Sequence, residues 1–100
     1  MSNLSPFIQT SHHVLPLLIQ YVPVVDRVHG AHHPEFHDVR AVFNALARKI
    51  KETPNQKPNL DAEFKQLSLL TSNYSVPGDV CETYEAVYQM LKALHDAYLV

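Results

Sequence analysis

Histidines are the residues of this chain with the clearest potential for chemistry. The 100 residues contain seven histidines, and six of them lie between His12 and His37. Neutral imidazole is a common metal ligand, and imidazole can also move a proton near neutral pH. His29, His33 and His37 are spaced four apart, which would align them on one face of an unbroken helix. The spacing indicates either a metal-binding cluster or a set of rings that hydrogen-bond backbone carbonyls.

The same stretch contains residues that end one helix and begin another. Gly30 is expected to end the first helix, because glycine takes a positive φ without a Cβ clash. Pro34 is expected to open the next helix, where its missing N–H costs nothing. His33 and His37 then lie at the N-terminus of that helix, whose dipole favours the neutral, metal-binding form of imidazole. The sequence therefore predicts a tight helix–helix corner rich in imidazole.

Other reactive side chains lie outside this corner. Only one of His12 and His13 can face inward, because adjacent helical residues point ~100° apart. The dipole of the fourth helix could favour a thiolate at Cys81, but a small buried hydrophobe is the expected role. His95 is expected at the surface, since its neighbour Asp96 cannot meet it on a helix.

Composition limits the class of protein. The chain is 46% hydrophobic and 18% charged with a net charge of -2, which is typical of a soluble globular domain and gives no reason to expect nucleic acid or a membrane as partner. No run approaches the ~20 apolar residues of a membrane span. The single cysteine excludes an internal disulfide and favours a cytoplasmic location. No Ser–His–Asp order or phosphate loop is present, so enzymatic activity is not expected.

Apolar periodicity predicts an all-α fold, an antiparallel four-helix bundle formed by one domain over residues 1–100. The first helix ends at Gly30 and is expected to be kinked or interrupted at Pro16 and Pro23. The others are expected over 34–51, 60–72 and from about Asp79 to the C-terminus. Phe43 and Leu91 lie in the middle of apolar stripes and should be core residues.

Two stretches of the chain resemble a known family. Residues 28–35, Val-His-Gly-Ala-His-His-Pro-Glu, and the helix that follows to Leu46 resemble the corner of the hemerythrin-like di-iron proteins that repair iron–sulfur clusters. Residues 70–84, with their Pro…Cys…Thr order, and their continuation to Leu94 resemble the start of that family's last helix. The resemblance implies a bundle around two irons, and a role in restoring clusters damaged by nitric oxide or peroxide.

The resemblance also implies metal ligands, although not a full set. The candidates are His13, His29 and His33, with His12, His32 and His37 as secondary candidates. The family's His–Glu pair late in the second helix and the histidine that opens its third helix have no counterparts here, and its last His–Glu motif would lie beyond Val100. A complete di-iron site cannot be built from one copy. The chain is expected to be a short relative or to end before its last ligands.

Three functions follow as alternatives. The first is a hemerythrin-like protein of the cluster-repair type, acting on damaged iron–sulfur proteins in nitrosative or oxidative stress, with an incomplete iron site or one completed by pairing two chains. The second is a metal-free bundle that binds a protein partner. The third is a histidine-only binder of another divalent metal, such as zinc, at the corner.

Overall fold

The computed structural model describes residues 5–100 and has four α-helices. They are α1 (Pro6–His29), α2 (Glu35–Glu52), α3 (Asp61–Leu70) and α4 (Glu82–Tyr98). The described residues contain no β-strand. α1 packs most extensively against α4, α2 packs against α3, and α1 also contacts α2. The predicted all-α four-helix bundle is confirmed.

α1 runs unbroken through both of its internal prolines. Its first turn is capped by Ser5, whose Oγ accepts the N–H of Ile8 at 3.2 Å, and Pro6 occupies the first helical position. Pro16 is exposed and Pro23 is half-buried, while Leu18 and Val22 on the opposite side are fully buried. The hydrogen bonds that these prolines remove therefore lie toward solvent, where water can satisfy the freed carbonyls. The prolines do not interrupt the helix.

The turn after α1 requires glycine at position 30, but the physical reason differs from the one that the sequence predicts. Gly30 has φ −60° and ψ −26°, an ordinary helical conformation, so the expected positive φ is wrong. A Cβ at this position would lie 2.4 Å from the carbonyl oxygen of Asp26 and 2.6 Å from Cε1 of His37. Glycine is required here by close approach.

The later helices begin and end within a few residues of their predicted bounds. α2 starts at Glu35, one residue after Pro34. α3 ends at Leu70, two residues early, because residues 72–74 take positive φ values of 51–65° and cannot continue the helix. Hydrogen bonds from Thr71 Oγ1 to the Leu67 carbonyl, and from the Tyr74 N–H to Thr71 Oγ1, fix this turn. α4 starts at Glu82, three residues later than expected.

The core runs the length of the bundle and is apolar. Phe43 and Leu91 are buried, with 2% and 0% of their surface exposed, which confirms both as core residues. Tyr84 and Tyr88 are also buried, and their hydroxyls lie 3.1 Å apart. Burial raises the pKa of both phenols. None of the described helices is long and apolar enough to cross a membrane.

Candidate functional site

The corner brings together three helix ends. His29 is the last residue of α1, residues 30–34 form the turn, and α2 begins at Glu35. Cys81, the N-cap residue of α4, reaches the same region from the other side of the bundle. Side chains separated by about 50 residues in sequence therefore meet here.

His29 and Cys81 form a direct imidazole–thiol contact, with Nε2 3.2 Å from Sγ. His29 lies at the C-terminal end of α1, which favours a positive charge, and Cys81 lies at the N-terminal end of α4, which favours a negative one. The two helix ends therefore bring an imidazole and a thiol into contact across the bundle. The thiol is exposed, so the expectation that Cys81 is a buried hydrophobe is wrong.

His33 lies between two carboxylates. Its Nδ1 is 3.2 Å from Glu35 Oε2, and its Nε2 is 3.1 Å from Asp79 Oδ1. Each nitrogen of the His33 ring therefore has a carboxylate oxygen within hydrogen-bond distance, one from α2 and one from the segment before α4.

Tyr84 lies beneath both of these imidazoles. Its ring makes edge-to-face contacts with His29 at a centroid distance of 5.3 Å and with His33 at 5.5 Å. Phe36 packs on the same tyrosine at 5.2 Å. Aromatic contacts of this kind hold a ring in place without using its polar atoms. The imidazole nitrogens therefore remain directed at Cys81, Glu35 and Asp79.

A second charged group lies behind Gly30. Asp26 is buried on α1, and Arg40 Nη1 donates to its Oδ2 at 3.0 Å. His37 Nδ1 contacts the other oxygen of this carboxylate, and its ring occupies the space beside Gly30 that a side chain would fill. This group joins α1 to α2, and His37 is directed at Asp26 rather than toward His33.

The structure does not bring the predicted metal ligands together. His12, His13 and His32 are exposed. His13 is sixteen residues before His29 on the same helix, which corresponds to ~24 Å along the axis. His29 and His33 do lie at one corner, but each ring is already in contact with a protein partner. Within residues 5–100, no group of three histidine, cysteine, aspartate or glutamate side chains is arranged so that it could hold a metal ion.

The described residues also do not fit an interior di-iron centre. Such a centre needs carboxylates and imidazoles that project inward from all four helices. The inward positions are instead filled by apolar and aromatic side chains that are almost completely buried. Asp26 is the one acidic residue classed as buried among those described, and Arg40 pairs with it. The imidazole of His29, a predicted metal ligand, contacts the Cys81 thiol across the corner.

Two features of the site could not be found from sequence. Asp79 and Cys81 reach the corner histidines across 46 and 52 residues, and no local pattern indicates such pairs. His95 was expected at the surface, but its ring stacks on Phe64 at 4.7 Å and its Nδ1 lies 2.9 Å from the hydroxyl of Tyr74. Burial lowers the pKa of His95.

No protein-family model matches this sequence, and no solved structure matches the chain.

Proposed function

We propose that this chain is a hemerythrin-like protein of the iron–sulfur cluster repair type, which acts in the cytoplasm on iron–sulfur proteins damaged by nitrosative or oxidative stress. Its corner side chains, rather than an interior di-iron centre, carry this role. The observation that supports the proposal is that the two stretches resembling the family meet in space. His29 and His33 come from the first stretch, and Asp79 and Cys81 come from the second.

The two stretches meet through specific contacts between polar side chains. The contacts join the end of α1 to the start of α4, and they connect one imidazole to a thiol and the other to a carboxylate. Tyr84 supports both imidazoles from below. A pattern that arose by chance in two unrelated segments would not require their polar residues to pair at one place.

A repair assay tests the proposal. A [4Fe–4S] hydro-lyase is inactivated with nitric oxide, and its recovery is followed with and without the protein under reducing, iron-containing conditions. We expect the protein to speed recovery, and a His29→Ala/His33→Ala double variant to lose most of this effect. His12→Ala/His13→Ala is the matched control, because both of its side chains are exposed and far from the corner. Recovery no faster than with an unrelated helical protein would contradict the proposal.

A second candidate function is the binding of a protein partner by the outer face of α1, and the occupant we infer is a second copy of the chain. Leu17, Val24 and Val28 are 42%, 38% and 58% exposed. Their spacing of seven and four places them on one helix face, where the same stripe on two copies could form a symmetric contact. Sedimentation over a range of concentrations tests this, with Val24→Glu expected to abolish dimers and His12→Glu, at an exposed position about 140° around the helix from Leu17, to leave them intact. A monomer at every concentration would contradict it.

A further inference from the structure

We propose that Cys81 and His29 form a reactive thiol site that undergoes thiol–disulfide exchange with neutral or cationic disulfides. The site goes beyond cluster repair and does not depend on it. Cys81 is not an isolated cysteine, because its sulfur has an imidazole partner at 3.2 Å on another helix. The thiol is also exposed, so that a second molecule can reach it.

The surroundings of the thiol form a place for a second molecule. Cys81 lies in the wall of an open surface cavity of about 280 Å³. Val76, Pro77 and Val80 give this cavity an apolar side, and Glu82 gives it a negative charge. A cavity of this volume has room for a small disulfide beside the sulfur.

The charge of the cavity determines which disulfides react. Glu82 and Glu85 both line it, and Asp79 precedes Cys81 by two residues. Among the described residues, no lysine or arginine lines this cavity. These carboxylates attract a cationic disulfide and repel an anionic one, such as glutathione disulfide, by ordinary Coulomb interaction. Specificity for charge is thus part of the proposal.

The reaction balances without any further reactant. His29 Nε2 takes the proton from the Cys81 thiol, and the resulting thiolate attacks one sulfur of the disulfide. The disulfide S–S bond breaks while a new S–S bond forms to Cys81. The leaving thiolate then takes the proton from His29. The products are a mixed disulfide on the protein, one free thiol and neutral imidazole.

The charged groups around Cys81 and His29 come from α4, from the segment before it and from the turn after α1. Glu82 and Glu85 belong to α4, and Asp79 precedes that helix. His33, between its two carboxylates, approaches from the turn across the ring of Tyr84. These groups are unchanged in the His29→Gln variant used below, so a change in the pH dependence on replacing His29 reports on His29 itself.

The first experiment measures the rate of mixed-disulfide formation by intact mass with bis(2-aminoethyl) disulfide, a cationic probe. An unassisted cysteine thiol is only ~1% thiolate at about pH 6.5, so we expect His29→Gln to react at least about tenfold more slowly than the wild type there. The difference should shrink as the pH rises. His32→Gln is the matched control, since His32 is an exposed imidazole three residues away, and it should react like the wild type. Cys81→Ser should not react.

The second experiment compares this probe with bis(2-hydroxyethyl) disulfide, which is neutral, and with glutathione disulfide. We expect the order cationic, neutral, anionic, and a smaller preference in Glu82→Gln/Glu85→Gln. If His29→Gln fails to fold, as judged by circular dichroism, the charge series on the wild type still tests the site. Equal wild-type and folded His29→Gln rates at every pH, or no dependence on probe charge, would overturn the proposal.

Discussion

Gly30 shows how a residue without a side chain can organise its neighbours. The absent Cβ leaves room for the His37 ring, and that ring in turn contacts the buried carboxylate of Asp26. Arg40 completes the group from α2. The angle at which α1 meets α2 is therefore held by charged side chains packed over bare backbone, in addition to the apolar core.

Replacing Gly30 with alanine should destabilise the protein. The new methyl group would lie within 2.4 Å of a backbone oxygen and 2.6 Å of an imidazole carbon, so that either the turn or His37 must move. We expect a loss of about 1–3 kcal/mol in the free energy of unfolding, measured with urea. Gly78→Ala is the control, because nothing lies within 4 Å of its added Cβ, and it should change stability by less than about 1 kcal/mol. Equal stability of the two variants would contradict the packing at the corner.

His95 should make stability depend on pH. Burial against Phe64 lowers its folded-state pKa below the ordinary histidine value, so the folded state resists protonation. A histidine with a lowered pKa contributes stability that is present above its unfolded pKa and is lost as the pH falls through the folded value. The wild type should therefore lose more stability than His95→Gln between about pH 7.5 and about pH 5, on either side of the ordinary histidine value of ~6.5. His32→Gln should retain the full loss, and a wild-type loss no larger than that of His95→Gln would contradict the burial of His95.

At the scale of residues, sequence alone predicted roles that depend on neighbouring residues in the chain. It missed roles that depend on contacts with residues far away in sequence. The need for glycine at position 30 was visible, but its reason was not, because the obstructing ring of His37 is seven residues away. Cys81 and His95 were both misassigned. Burial of a residue near a helix end depends on which other helix arrives there, and periodicity within its own helix does not contain that information.

At the scale of elements, each helix is held by its apolar stripe. Phe43 of α2 and Leu91 of α4 lie in the middle of such stripes and are buried in the common core. Both positions were predicted from apolar spacings of three and four alone, because an apolar stripe several turns long defines which face of the helix is buried. Helix ends were less predictable, because a cap or turn such as the one at Thr71–Tyr74 depends on single hydrogen bonds.

Truncation of either residue should be costly. Phe43→Ala and Leu91→Ala each remove a large side chain from a filled interior, and we expect a loss of about 2–5 kcal/mol in the free energy of unfolding. Leu69→Ala is the control, because Leu69 is 73% exposed, and its effect should stay within about 0.5 kcal/mol. Losses below about 1 kcal/mol at both core positions would mean that the helices pack by other faces.

At the scale of the whole molecule, the bundle interior limits which metal sites the chain can form. Three of the four helices present no imidazole to the interior, and the buried carboxylate of Asp26 is neutralised by Arg40. The sequence predicted an incomplete di-iron site from missing ligands. It could not predict that the remaining histidines at the corner would bind side chains of a different helix, because that requires the arrangement of three helix ends.

Iron analysis after anaerobic reconstitution tests this limit. We expect far fewer than two tightly held irons per chain and no oxo-bridge absorption band, because Asp26 and Glu63, two largely buried carboxylates of the described residues, are paired with Arg40 and Lys49. Weakly held metal should be lost readily as the pH falls, since histidine ligands protonate. Two irons retained through gel filtration would contradict the prediction, and stoichiometric zinc binding that is lost in His29→Ala/His33→Ala would favour the histidine-only metal site.

The two prolines within α1 have a mechanical consequence. Pro16 and Pro23 are seven residues apart, so the missing hydrogen bonds fall almost above one another, on the side away from buried Leu18. A helix that lacks two hydrogen bonds on the same side should bend more easily toward or away from that side than in the direction at right angles to it. Thermal bending of α1 should therefore have a preferred direction, which curls the helix around the core or straightens it. Since His29 is the last residue of α1, we expect bending in this direction to change the distance from its imidazole to Cys81 more than bending at right angles to it does.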